Sequence, residues 1–267
     1  MNVSTLLIDA CPKENLDFLL ECTRDLNQHL NARVSGVSYA WPNSSMLGAA
    51  VASPIAASRE EAQMKSLLAG SRRACEAAFP ELQSEGAWHE GIGEPAGQML
   101  DHLFCTDLLA TIEAVGGPCV QADPVDLAVH SGTPVLRIKH GVNELPLRTA
   151  VVAWKDGAPA NRAIRAARPL LALANVIHVV GVGDEVSIDR LDQVAASLQG
   201  ESRKIEVSHL PQTRINPGDD IARQALALDA DLVVSGVKGE RSLRERLLGD
   251  VTDKLAGYTG FSWLMCA

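Results

Sequence analysis

One order of strand-like and helix-like segments occurs twice along this chain of 267 residues, and this repetition constrains the fold more than any other feature. The apolar segments at 5–9 and 149–153 are each followed by a turn and an amphipathic helix, at 14–30 and 160–174. Further apolar strands follow in both halves. Strands that alternate with helices predict an α/β fold, with parallel sheets covered on both faces.

Each half continues with a helix that opens on proline and leads into another strand. Pro95 precedes the strand at 107–109, and Pro217 precedes the strand at 231–234. Asn216 is a favourable N-cap for the second of these helices. We therefore predict one domain in residues 1–141 and another in residues 146–267, joined by a polar connection.

The halves end on apolar segments, at 135–138 and 263–265, that are typical of final strands. Two exposed final strands can pair edge to edge. This predicts pairing of the two domains within one chain, and a homodimer built through the same edges remains an alternative.

The composition limits the function classes. The formal net charge is −9 and the pI is about 5.3, which argues against a general nucleic-acid surface. The six cysteines and seven histidines are scattered without metal-type spacing, so we predict free thiols and no metal site. With no secretory signal and no apolar run of membrane-spanning length, the sequence predicts a soluble cytoplasmic protein that does not enter a membrane.

A glycine-rich segment supplies the strongest functional signal. Gly236, Gly239 and Gly249 follow the strand at 231–235 and precede a helix at 251–256. Glycine lets the backbone approach a phosphate, and the free N–H groups of a helix start point towards the anion. Ligands in open α/β sheets lie beyond the carboxyl ends of the strands, where the strand order reverses.

This segment resembles the universal stress protein family, whose nucleotide-binding members carry Gly-x2-Gly-x9-Gly followed by Ser or Thr. Residues 152–157 and the helix after them are similar to the first strand, turn and helix of that family. The resemblance covers the chain as two tandem copies and is more specific in the second. It implies two Rossmann-like domains of the adenine nucleotide alpha hydrolase type, each with a five-stranded parallel sheet, paired as in a dimer. The ligand it implies is ATP or a related adenine nucleotide with Mg²⁺.

We expect the base near residues 153–156 and Val180, and the phosphates over the glycines. The candidate nucleotide-binding residues are Ala153, Trp154, Lys155, Asp156, Val180, Gly236, Gly239, Arg241, Gly249, Asp250, Val251 and Thr252.

One departure from the family pattern in each half bears on nucleotide binding. Asp250 occupies the Ser or Thr position, and a carboxylate about 4 Å from a phosphate costs on the order of 4 kcal/mol at an effective dielectric near 20. Four nearby cations could offset part of this repulsion if they face the site: Lys238, Arg241, Arg244 and Arg246. A divalent ion could instead bridge Asp250 to the phosphate. An N-cap for the following helix is the favoured role of Asp250, above a role in ligand binding. The first half has Gly116 and Gly117 without the later glycine, so we predict no phosphate site there.

The sequence therefore favours a stress-response or regulatory module with a degenerate or weak adenine-nucleotide site in its second half. A nucleotide-free interaction scaffold is the alternative. A slow nucleotide hydrolase is a third interpretation, which is weaker because no nucleophile or general base can be identified.

Two further segments carry predictions. Cys11 lies between the first strand and the first helix, where a thiol can become reactive, although an ordinary thiol is the favoured interpretation. Residues 42–58 predict a flexible connection, after which Ser58 and Glu61 form a capping box for a helix that ends near residue 78.

Overall fold

The computed structural model describes residues 3–43, 54–113, 116–141, 144–200, 204–213, 216–238 and 251–267. Ten strands within these ranges form one sheet. The strands are β1 Thr5–Asp9, β2 Arg33–Ala40, β3 Trp88–Ile92, β4 Leu108–Ile112, β5 Val135–Ile138, β6 Thr149–Ala153, β7 Val176–Val182, β8 Lys204–Leu210, β9 Leu232–Gly236 and β10 Ser262–Cys266. The helices are α1 Leu16–Leu30, α2 Pro54–Ala78, α3 Pro95–Leu103, α4 Pro124–Ser131, α5 Ala158–Leu171, α6 Ile188–Ser197, α7 Pro217–Ala227 and α8 Val251–Ala256.

The sheet has the same strand order in both halves. Its full order is β3-β2-β1-β4-β5-β10-β9-β6-β7-β8, and the strands within each half are parallel. The order reverses between β1 and β4 in the first half, and between β6 and β9 in the second. The predicted α/β fold is confirmed, and each reversal marks a switch point where a ligand can bind.

The two halves join through their last strands. β5 and β10 are antiparallel, with Arg137 opposite Trp263, Leu136 opposite Leu264 and Val135 opposite Met265. The predicted pairing of the final strands is therefore confirmed within one chain. These strands lie at the centre of the sheet, so they are not free edges for a second copy.

Helices cover both faces of the sheet. One buried cluster packs α1, α5 and α6 against the sheet, through residues such as Leu19, Ile164 and Leu191. The other cluster packs α3, α4, α7 and α8 on the opposite face, with Trp263 and Phe261 near its centre. Near-continuous apolar strands such as Leu6–Ile8 are explained by this burial on two faces.

Local sequence accounts for several helix starts. The side chain of Asn216 accepts a hydrogen bond from Gly218 N, with Pro217 in the first turn, as predicted. Glu94 caps α3 in the same way. The described part of the chain contains no helix long and apolar enough to cross a membrane.

The connection after β2 differs from the prediction. Helix α2 already begins at Pro54, so the flexible segment predicted over 42–58 is wrong at its carboxyl end, and Ser58 lies inside the helix rather than at its cap. Proline is favourable in a first helical turn, which is why the helix can begin earlier. Residues 44–53 of that segment lie outside the described residues.

Candidate functional site

A small cavity lies at the switch point of the second half. It occupies about 140 Å³ beyond the carboxyl ends of β6 and β9. Its lining includes the predicted residues Ala153, Trp154, Lys155, Asp156, Gly236, Val251 and Thr252, together with Lys238, which the sequence suggested as a balancing cation. Val180 is fully buried behind this wall, where its carbonyl accepts a hydrogen bond from Trp154 N at 2.8 Å. The parallel fold therefore brings both ends of the predicted motif to one place.

Internal contacts already occupy the polar side chains of the turn after β6. The Asp156 carboxylate accepts hydrogen bonds from Trp154 Nε1 at 2.8 Å and from Arg190 Nε at 3.1 Å. Lys155 forms an ion pair with Glu185. The four side chains of these two ion pairs are between 49% and 72% exposed. Exposed ion pairs contribute little stability, so a ligand can compete for Lys155 and Asp156 at little cost.

The Glu185 carboxylate lies within the influence of two lysines at the cavity. Its pKa is held below the ordinary value, chiefly by the hydrogen bond and charge of Lys155 and to a smaller extent by the charge of Lys238. Lys155 and Lys238 both line the cavity. The site thus presents two cations to an anionic group, and Glu185 is the ion-pair partner of Lys155.

Gly236 has a packing role at the end of β9. A Cβ atom at this position would lie 2.5 Å from Ala160 N and 2.6 Å from the carbonyl carbon of Pro159, both backbone atoms at the start of α5. Its φ is not among the positive values of the chain, so the glycine is required by close approach and not by a left-handed turn. Gly236 therefore allows the end of β9 to pack closely against the start of α5, whether or not a phosphate binds.

Ser235, Val251 and Thr252 also line the cavity. Ser235 Oγ accepts a hydrogen bond from Trp263 Nε1 at 2.8 Å, and Thr252 is 6% exposed. Residues 251–256 are helical, as the sequence predicts. The remaining predicted residues, Gly239, Arg241, Gly249 and Asp250, lie outside the described residues.

The first half has a different cavity at its own switch point. It occupies about 270 Å³, and its lining includes Asp9, Lys13, Gln121, Arg137 and, from the second half, Trp263. Sequence reasoning missed this cavity. The sequence feature that could have indicated it is Asp9 at the end of β1, followed four residues later by Lys13.

A buried ion pair fills one end of this cavity. Lys13 Nζ lies 2.7 Å from Asp9 Oδ2, and the two side chains are only 1% and 4% exposed. Burial by itself raises the pKa of Asp9, but Lys13, Thr111 and Cys11 outweigh it, and the pKa lies below the ordinary value. All of these partners of Asp9 belong to the first half of the chain.

A larger cavity, of about 630 Å³, lies at the other end of the first-half strands. Its lining includes His89 and His102, whose rings stack with centroids 4.3 Å apart, and Tyr39 Oη lies 2.9 Å from His102 Nε2. Parallel sheets bind ligands at the carboxyl ends of their strands, so size alone does not make this the functional site. Among the described residues, no group of three or more His, Cys, Asp or Glu side chains is arranged to hold a metal ion.

Cys11 is an ordinary buried thiol. It is 1% exposed, and burial together with the nearby Asp9 charge raises its pKa well above the usual value. The thiol therefore stays protonated and unreactive at neutral pH, so the favoured interpretation is supported and a reactive Cys11 is contradicted.

We expect iodoacetamide at pH 8 to label Cys11 at least a hundredfold more slowly than the exposed Cys105, because only an accessible thiolate reacts. Peptide mapping by mass spectrometry measures both rates in the same sample. Equal labelling of the two cysteines would contradict the buried, protonated state.

The comparisons with known proteins agree with this fold. Residues 147–265 match the model of the universal stress protein family. The predicted resemblance to this family is thereby confirmed for the second half of the chain. The matched residues include all of those that line the cavity at β6 and β9.

Solved structures extend the likeness in fold to both halves. A universal stress protein from Archaeoglobus fulgidus DSM 4304 matches with a TM-score of 0.72 and 16% identity, over 99% of this chain and 96% of that chain. A functionally unknown protein from Pseudomonas aeruginosa PAO1 matches with a TM-score of 0.57 and 14% identity, over 99% and 92% of the two chains. The full length of the chain therefore has the fold of these proteins.

A universal stress protein in complex with cAMP is 23% identical over 44% of this chain and 94% of that chain, with a TM-score of 0.36. A search of curated proteins found none that matches this chain.

Proposed function

We propose that this protein is a tandem universal stress protein, a stress-response or regulatory module of the cytoplasm, whose second half binds an adenine nucleotide weakly. Residues 1–141 and 146–267 would be its two domains. The cavity at β6 and β9 carries the proposal, because it joins the predicted turn at 153–156 to Gly236 and Thr252. Lys155 and Lys238 would face the phosphates, and Mg²⁺ would offset the acids near them.

The described walls enclose about 140 Å³, whereas pockets that bury a drug-sized ligand enclose roughly 300–1,000 Å³. Only part of a nucleotide would therefore fit inside these walls. This supports weak rather than tight binding.

Calorimetric titration with ATP and Mg²⁺ tests the proposal. We expect weak binding by the natural chain and at least tenfold tighter binding by Asp250→Ser, with about a thousandfold as the limit set by the charge repulsion. Asp253→Ser is the matched control, because it removes the same charge from an exposed position of α8. We expect this control to change the affinity less than threefold.

Absence of heat at millimolar ATP for both the natural chain and Asp250→Ser would contradict nucleotide binding. The nucleotide-free scaffold would then be favoured, since the contacts of Asp156 and the packing of Gly236 are satisfied without a ligand. Release of phosphate in the same samples would instead support a slow hydrolase.

A further inference from the structure

A buried arginine of the first half reaches the helix that borders the second-half cavity. Arg137 lies in β5 and is 5% exposed. Its Nη1 donates a hydrogen bond to Ala256 O at 2.7 Å, and its Nη2 contacts Leu255 O at 3.4 Å and donates to Tyr258 O. Carbonyls at the end of a helix lack partners within the helix. The guanidinium therefore caps the carboxyl end of α8, where a positive charge is also favourable.

α8 depends strongly on such contacts. The structure describes it over Val251–Ala256, and short helices are marginal in water without packing contacts. At about 1.5 Å per residue, the capped end lies about 8 Å from Val251. Val251 and Thr252 at its first turn line the second-half cavity. The capped end of α8 therefore lies within two helical turns of the cavity wall.

A second contact leads from Arg137 to the same cavity. Its guanidinium carbon lies 5.3 Å from the centre of the Trp263 ring, which is within cation–π range. Trp263 Nε1 donates to Ser235 Oγ, and Ser235 lines the cavity. One side chain thus supports two walls, through α8 and through Trp263.

The burial of this charge is compensated only in part. Burial lowers the pKa of Arg137 below its ordinary value, and the charges of Glu113 and Asp123 offset part of this effect; Glu113 Oε2 lies 3.9 Å from Nη1. A guanidinium remains charged in proteins, and its planar donors can serve several carbonyls at once. Lysine would supply the charge without this geometry.

We propose that Arg137 is a positioning residue for the candidate site of the second half, so that this site is complete only when the first half is present. The inference rests on the proposed nucleotide site for its functional consequence. Its structural part, the fixing of α8 by Arg137, can be measured without any nucleotide.

Arg137→Met, Arg137→Lys and Ile138→Val in the full chain test this role. Ile138 is the next residue of β5, is 1% exposed and packs in the cluster on the opposite face, so it controls for general loosening of the strand. Hydrogen exchange followed by mass spectrometry reports on the α8 amides, and calorimetry reports on ATP affinity with Mg²⁺.

We expect Arg137→Met to accelerate hydrogen exchange in α8 by a factor at least ten times larger than in β1. The same substitution should weaken ATP binding about tenfold. Arg137→Lys should fall between Arg137→Met and the natural chain in both measurements. Ile138→Val should leave both unchanged within twofold. This pattern separates positioning of α8 from general destabilisation.

Unchanged exchange in α8 for Arg137→Met, or an equal acceleration in Ile138→Val, would overturn the proposed role. Faster exchange in α8 with unchanged ATP affinity would overturn its link to the site. If the natural chain and Asp250→Ser bind no ATP, the proposed function fails, and selective acceleration in α8 still supports the structural part.

Discussion

Replacement of Lys13 by methionine is expected to lower the free energy of unfolding by about 3–5 kcal/mol, because it leaves the Asp9 carboxylate buried without its counter-charge. Methionine keeps much of the length of the side chain, so the loss reports on charge more than on volume. Urea unfolding at pH 7 measures the difference. Asp9→Asn combined with Lys13→Met should recover much of the loss, since no ionised group then remains.

The matched control is Lys65→Met, which breaks an ion pair with Glu61 whose side chains are 67% and 56% exposed. Exposed pairs contribute about 0–1 kcal/mol, so the control should change stability little. Equal effects of the two substitutions would contradict the buried pair.

The Lys13 variant should also respond to pH in a defined direction. In the natural chain the folded-state pKa of Asp9 is lowered, so the stability it contributes is present above its ordinary pKa of 3.8 and is lost as the pH falls through the lower folded value. Without Lys13, burial raises that pKa. The deficit of the variant should therefore shrink as the pH falls and the carboxyl group becomes protonated.

Substitution of Gly236 by alanine is expected to destabilise the protein by about 1–3 kcal/mol. The added Cβ would lie 2.5 Å from Ala160 N, so either β9 or the start of α5 must move. Backbone atoms cannot rotate away as the end of a side chain can. Thermal and urea unfolding measure the loss, and the movement should also weaken any nucleotide binding at the adjacent cavity.

Gly70→Ala is the matched control, because Gly70 lies inside α2 and a Cβ added there would have no atom within 4 Å outside its own helix backbone. Alanine is favoured over glycine in a helix interior by about 1 kcal/mol, so this variant should be slightly more stable. A harmless Gly236→Ala would show that the close approach to α5 is not required.

Much of the fold follows from local pattern. The predicted segments at 5–9 and 251–256 coincide with β1 and α8. The start of α2 was missed, because a capping box at Ser58 and a proline at Pro54 are both favourable helix starts. Choosing between them depends on contacts that the local sequence does not contain.

The sequence predicted the position of the candidate site but not its internal contacts. The switch-point rule placed the turn at 153–156 beside Gly236. It could not reveal that Asp156 is held by Arg190, that Gly236 is required by α5, or that Val180 lies behind the wall. These facts depend on side-chain directions and on distances between separate elements.

The sequence alone determined the α/β class, the repeated order of elements and the position of the glycine segment, because hydrophobic periodicity and turn residues act over a few neighbours. Tertiary structure alone decided that Asp9 and Lys13 are buried together and that Arg137 caps α8 across 119 residues of chain. Such contacts depend on how the halves pack, because burial and charge compensation are properties of the assembled core.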